Sequence, residues 1–164
     1  LTATPLQLAQ AYAVFANQGR RVPLTLLKRE AGARLLGEPV ISEEIAQQVL
    51  TVLHRVTGSE GTASKARVPG FSVGGKTGTV HKVGPSGYLP DQYLALFVGV
   101  APMDNPRYVT AVVVDQPKGD SYGGGAAAAP VYARITDGVL RLRNQRPEVE
   151  GDMPAQLASS EVGR

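Results

Sequence analysis

The residues best equipped for chemistry in this 164-residue sequence lie in Gly70-Phe-Ser-Val-Gly-Gly75-Lys76-Thr77-Gly78-Thr79, which sets one cation and three hydroxyls among glycines. Read as a string, Gly70 to Thr77 satisfies G-x-x-x-x-G-K-[ST], the loop that cradles nucleotide phosphates, and Val112-Val113-Val114-Asp115 imitates the acidic strand end that would hold magnesium. Such a loop must follow a buried strand and open a helix whose first amides hold the phosphates. Neither flank fits. Ser64-Lys65-Ala-Arg67-Val-Pro69 is polar and ends in proline, and Val80-His81-Lys82-Val83-Gly84-Pro85 is β-branched, then broken by glycine and proline. The second reading lays Lys76-Thr77-Gly78-Thr79 along a strand, where a period of two sends Lys76 and Gly78 to one face and Thr77 and Thr79 to the other. Glycines at 74, 75 and 78 admit another backbone at close range. A strand of this kind on the rim of a cleft suits an extended, anionic peptide that pairs with it edge to edge. The plain alternative is a glycine-rich strand with an incidental lysine.

Other chemistries lack the residues. With no cysteine and two histidines, His54 and His81, the chain has no thiolate metal site or disulfide framework and too few histidines for a metal cage; no metal and no cofactor is expected. A net charge of +3 from scattered Lys and Arg, with few aromatics, gives no nucleic-acid footprint. The apolar share of 43% is enough for an ordinary core. No apolar run approaches the roughly 20 residues a membrane span needs. The chain opens on Leu1 and runs almost at once into a helix start, so its N-terminus is expected to continue a longer protein.

The elements that must position Lys76 follow from periodicity. Thr4-Pro5 opens a helix to about Gln18, with Leu8, Ala9, Tyr12, Ala13 and Ala16 on one face. Leu24 to Leu27 reads as a short strand and Gly32 to Pro39 as a loop. Ser42 caps a second helix to Val56, whose stripe is Ile45, Val49, Val52, Leu53 and Val56. Residues 58 to 75 read as a polar surface connection. Three strands follow, Val73 to His81, Tyr93 to Ala101 and Tyr108 to Asp115, joined by turn-rich links at Val83 to Asp91 and Pro102 to Arg107, which implies an antiparallel meander. The last two are nearly all apolar, so both faces of that part of the sheet call for cover. A third helix, Ala127 to Arg143, has Val131, Ile135, Val139, Leu140 and Leu142 as its stripe. Gln145 onward reads as a disordered tail. The class is α/β of the α+β type, an antiparallel sheet flanked by helices.

Four segments in this order carry a family resemblance: Thr4-Pro-Leu-Gln-Leu-Ala9, Gly75-Lys-Thr-Gly-Thr-Val-His-Lys-Val-Gly-Pro85, Phe97-Val-Gly-Val-Ala-Pro102, and Tyr122-Gly-Gly with Ala129-Pro130-Val131. Lys-Thr-Gly is one of the motifs shared by penicillin-binding proteins and serine β-lactamases. The chain resembles class B penicillin-binding proteins, closest to their division-specific branch, over residues 1–147, with 148–164 as tail. The resemblance implies part of the penicillin-binding transpeptidase or serine β-lactamase-like fold. It also implies a D,D-transpeptidase in which a serine attacks the penultimate D-alanine carbonyl of a peptidoglycan stem peptide and passes the acyl group to an amine. β-Lactam antibiotics acylate the same serine. Lys76, Thr77, Gly78 and Thr79 would then be catalytic. Lys76 supplies positive charge, the Thr77 and Thr79 hydroxyls receive the carboxylate, and the Thr79 N–H serves the oxyanion hole. His81, Tyr93, Tyr122 and Gly123 would line the substrate and β-lactam site. The pattern further implies division-machinery partners and a place on the periplasmic face of the bacterial inner membrane, held by an anchor outside this sequence.

The sequence departs from the family in lacking S-x-x-K and S-x-N: none of Ser42, Ser59, Ser64, Ser72, Ser86, Ser121, Ser159 and Ser160 has a lysine three places on. The nucleophile is therefore expected upstream, in another part of the same domain, and the chain alone is expected to be inactive. The rivals are a nucleotide-binding protein and a non-catalytic peptide-binding module.

Overall fold

Thr4 and Gln7 close a reciprocal cap, the Gln7 N–H donating to Thr4 Oγ1 at 3.2 Å and the Thr4 N–H to Gln7 Oε1 at 2.8 Å. Helix α1 (Pro5–Ala16) therefore starts where Thr4-Pro5 places it. The structure, a computed structural model, describes residues 2–28, 37–119 and 121–148. The loop expected at Gly32 to Pro39 lies largely outside these, as does the tail beyond Glu148. Leu24 to Leu27 is not a strand; Leu26 and Leu27 are exposed, and a strand needs a neighbour that the described residues do not provide.

Helix α2 (Glu43–Val56) is capped by Ser42, whose hydroxyl accepts from the Ile45 N–H at 3.3 Å. Its buried residues are Ala46, Leu50 and Leu53, while Ile45 and Val52 of the expected stripe are exposed. Two apolar stripes overlap on this helix, and period alone does not say which one docks.

The expected meander forms. Strands β1 (Gly74–Gly84), β2 (Gly87–Ala101) and β3 (Tyr108–Asp115) make one antiparallel sheet in the order β1-β2-β3. The first two run further than predicted, into the 83–91 link, because Gly84 pairs with Gly87 and the latter takes a φ of 116°. A bulge falls between His81 and Val83, and Lys82 Nζ donates to the Asp115 carboxylate at 2.9 and 3.1 Å.

Helices α1 and α2 pack on one face of the sheet; α3 (Gly124–Ala127), which periodicity missed, and α4 (Ala129–Leu142) pack on the other. Residues 95 to 101 of β2 are buried except for half-buried Leu96, whereas β3 is an edge strand with Val112 as its one buried residue. The expectation of full cover thus holds for β2 and fails for β3. Helix α4 buries Ala129, Tyr132, Thr136 and Leu140, leaving Val131, Ile135 and Leu142 of the expected stripe exposed. Tyr132 decides the rotation. Its ring meets Phe97 edge-on at 4.8 Å and its hydroxyl donates to Val100 O at 3.2 Å. A Cβ on Gly99 would come within 2.4 Å of that ring, so only glycine leaves it room.

The 58–75 segment is not a surface connection. Ala63, Ala66, Val68, Phe71 and Val73 join the core, with Ala63 and Ala66 wholly buried at and beside a 3-10 turn, Ser64–Ala66. Small residues hide this role because alanine carries little hydrophobic signal yet permits close packing. The chain after α4 also stays attached: Glu148 accepts from the Ser72 hydroxyl at 2.7 Å and the Ser72 N–H at 3.1 Å, and its own N–H donates to Gly70 O at 2.8 Å.

Candidate functional site

Residues 74–84 are extended from end to end, and no helix starts at Thr77. The phosphate-loop reading fails on that geometry. Lys76 pairs with Val98 and Thr77 with Phe97, so successive side chains take opposite faces as the period of two requires.

Thr77 and Thr79 face the side covered by α3. Together with Thr62, Ser64 and Lys65 they line a groove of about 390 Å³ whose far wall is Ser121, Gly123 and the start of α3. The Thr77 hydroxyl lies 3.3 Å from that of Thr62, and the Thr79 hydroxyl accepts from the Gly124 N–H at 3.2 Å. A Cβ on Gly124 would lie 2.3 Å from Leu96 O and 2.6 Å from Gly78 O, so α3 sits directly on the backbone of β1 and β2. The close approach that the glycines allow at Gly78 is therefore made by the chain's own α3. The outer edge of β1 has no strand partner among the described residues.

Of the predicted site residues, Thr77, Thr79 and Gly123 line the groove. Lys76 is on the other face, exposed, with its ammonium turned back onto Thr77 O at 2.9 Å and 3.4 Å from Thr77 Oγ1. Among the described lining residues the charged side chain is Lys65. Sequence reasoning passed over Thr62, Ser64 and Lys65 because it read their segment as a connection. Their one signal was position, just upstream of the glycine-rich strand.

His81, Tyr93 and Tyr122 form a stack beside the groove. Tyr93 and Tyr122 lie nearly parallel with centroids 4.1 Å apart, His81 covers Tyr93 at 4.2 Å, and Tyr88 follows at 5.6 Å from His81. The Tyr93 phenol is held above the ordinary tyrosine value, first by loss of hydration and then by a hydrogen bond with Tyr122. His54 is half-buried, its Nδ1 2.9 Å from Val73 O; the Thr57 hydroxyl donates to the same carbonyl at 2.7 Å. Together these two bonds fix the entry to β1.

A three-stranded antiparallel sheet between two helical layers, with a Lys-Thr-Gly edge strand, defines a class. Residues 1–137 match the family model described as the penicillin binding protein transpeptidase domain, and the chain belongs to that family. It is 39% identical over 148 residues to the peptidoglycan D,D-transpeptidase FtsI of Escherichia coli, covering 90% of this chain and 25% of that protein. It is 38% identical over 155 residues to the probable peptidoglycan D,D-transpeptidase PbpC of Pseudomonas aeruginosa, covering 94% and 27%. The transpeptidase domain of Burkholderia pseudomallei penicillin-binding protein 3 superposes with a TM-score of 0.82 at 40% identity, over 90% of this chain and 44% of that one. The chain thus spans about a quarter of the length of these curated relatives.

Proposed function

We propose that this chain is the carboxyl-terminal part of a peptidoglycan D,D-transpeptidase site in a longer protein that cross-links stem peptides during septal wall synthesis. The carrying observation is the groove in which the Thr77 and Thr79 hydroxyls stand together beside the open edge of β1. An extended stem peptide ending in D-Ala-D-Ala would pair with that edge, its terminal carboxylate accepting from the two hydroxyls. The serine, supplied from outside this sequence, attacks the penultimate D-alanine carbonyl. The C–N bond to the last D-alanine breaks, that residue leaves as the amine, and a second stem's amine later takes the acyl group from the serine. The Thr79 N–H and the charge of Lys76 would stabilise the oxyanion and the deprotonated nucleophile. A β-lactam opens at the same serine, with its carboxylate in place of the peptide's. Division-machinery partners and a place on the periplasmic face of the inner membrane belong to the same reading, supported by the likeness to FtsI.

In the longer protein, a fluorescent penicillin should label a serine covalently, and Thr79→Val should slow that labelling by at least about tenfold, the equivalent of one charge-assisted hydrogen bond. Absence of labelling in the parent protein overturns the transpeptidase reading. Unchanged kinetics in Thr79→Val removes Thr79 from the carboxylate site.

A further inference from the structure

Among the described residues, strand β1 is paired on one side only, with β2, and it begins with Gly74 and Gly75 ahead of Lys76. Glycine resists backbone motion less than other residues, so whatever fixes residues 70–73 bears on where Thr77 and Thr79 stand. Two sets of bonds hold that entry. From the side of α2, His54 and the Thr57 hydroxyl meet Val73 O. From the other side the segment after α4 returns to the sheet, and Pro147 lies against Gly70, where an added Cβ would come within 3.1 Å of it. The Glu148 N–H donates to Gly70 O at 2.8 Å, and the half-buried Glu148 carboxylate takes both Ser72 donors, the hydroxyl at 2.7 Å and the N–H at 3.1 Å.

Ser72 is the junction. Its hydroxyl oxygen and its carbonyl both accept from the Met103 N–H, at 3.1 and 3.2 Å, so the entry to β1, the β2–β3 link and the C-terminal segment meet on one residue. A carboxylate that receives two donors through its two oxygens sets orientation as well as distance, and its charge strengthens both bonds. Thr77 and Thr79 follow Ser72 directly along the same strand. Resting on the transpeptidase reading, we propose that Glu148 is a positioning residue of the reaction: through Ser72 it fixes the entry of β1 and so aims the Thr79 N–H at the oxyanion of the acyl donor. The hydroxyls and the N–H respond differently to a loosened strand. A hydroxyl turns about its C–O bond and follows a displaced carboxylate, whereas a backbone N–H points where the strand points. Loss of the Glu148 carboxylate therefore costs the chemical step more than it costs binding.

The test uses the longer protein that contains this chain, labelled with a fluorescent penicillin over a range of concentrations. Three quantities are read separately: the dissociation constant of the first complex, the first-order acylation constant, and the fraction of protein labelled at completion. Glu148→Ala is expected to lower the acylation constant by about three- to tenfold, with less than about a twofold change in the dissociation constant and complete final labelling. Glu148→Gln, which keeps one acceptor oxygen and the length of the side chain, should lose only about two- to threefold, and it decides the matter alone if the alanine variant does not fold. A purely structural role gives another pattern, with fewer molecules labelled and each labelled at the parent rate. That pattern overturns the proposal, as does an unchanged acylation constant or a loss confined to the dissociation constant. A parent protein that is not labelled at all overturns the transpeptidase reading and this role with it, whereas a labelled parent with an unaffected variant overturns this role alone.

Discussion

The helical layers on the two faces of the sheet end up in different states, although β2 is buried on both, Val98 and Val100 on the side of α1 and α2 being 2% and 0% exposed. On the face covered by α3 and α4, Ala63, Ala128, Ala129, Phe97 and Leu140 are wholly buried and Tyr132 nearly so. On the opposite face, α1 has no fully buried residue although its sequence, Pro-Leu-Gln-Leu-Ala-Gln-Ala-Tyr-Ala-Val-Phe-Ala, is apolar nearly all round; Leu6, Ile45 and Val52 stand exposed. Hydrophobic content does not explain the contrast. Small residues do, because Gly99, Gly124, Ala63 and Ala66 let helices and backbone approach to contact distance on the first face. The groove with Thr77 and Thr79 lies on that closed face, so its hydroxyls are held by packing that this chain completes itself.

Substitutions on the closed face should therefore cost far more than those on the other. Tyr132→Ala removes the ring that fills the space over Gly99 and should destabilise by about 3 to 5 kcal/mol in chemical denaturation. A cost below roughly 1 kcal/mol would erase the contrast. Gly124→Val drives a side chain into Leu96 O and Gly78 O and should cost about 1 to 3 kcal/mol or more. It should also displace the N–H that the Thr79 hydroxyl accepts from, so penicillin labelling of the longer protein should fall even at a temperature where the fold persists. Labelling at the parent rate would show that α3 does not set the position of Thr79.

A smaller effect comes from pH. Burial holds the Tyr132 phenol well above the ordinary tyrosine value of 10.0. The folded chain keeps its proton where the unfolded chain gives it up. This contribution is complete below about pH 10 and is lost as pH rises above it, because the unfolded state then binds fewer protons. Thermal midpoints should fall above about pH 10, and less steeply in Tyr132→Phe; identical slopes in the two would exclude Tyr132 as the cause. The smallest change is expected on the open face, where Val52→Ser, at a site 61% exposed, should shift the stability of this chain by no more than about 0.5 kcal/mol. A loss several times larger would mean that α2 packs there after all.

Much of the frame was legible in the order of residues. Thr4-Pro5 and Ser42 start their helices as cap chemistry predicts, and β-branched residues after Lys76 exclude a helix there. The failures share one cause. On α2 and α4 the larger apolar side chains suggested stripes of which Leu53 and Leu140 are buried, while the docked faces are completed by Ala46 and Leu50 on the first and by Ala129, Tyr132 and Thr136 on the second. Residues 58 to 75 looked too polar to be central, yet alanines there are among the most buried in the chain. At Leu24 to Leu27, β propensity without a pairing partner left exposed coil. In each case the deciding quantity is how closely two elements can approach, which depends on both of them.

The sequence by itself determined that residues 76–79 are extended, with Thr77 and Thr79 on a common face, because alternation in a strand is local geometry. It also determined family membership, since the motifs come in the right order. Tertiary structure decided that Lys65 lines the groove, that α3 supplies the N–H held by Thr79, and that Tyr122 stacks on a hairpin distant in the chain. Those outcomes depend on which surfaces meet, and a one-dimensional pattern of residue types carries no such distances.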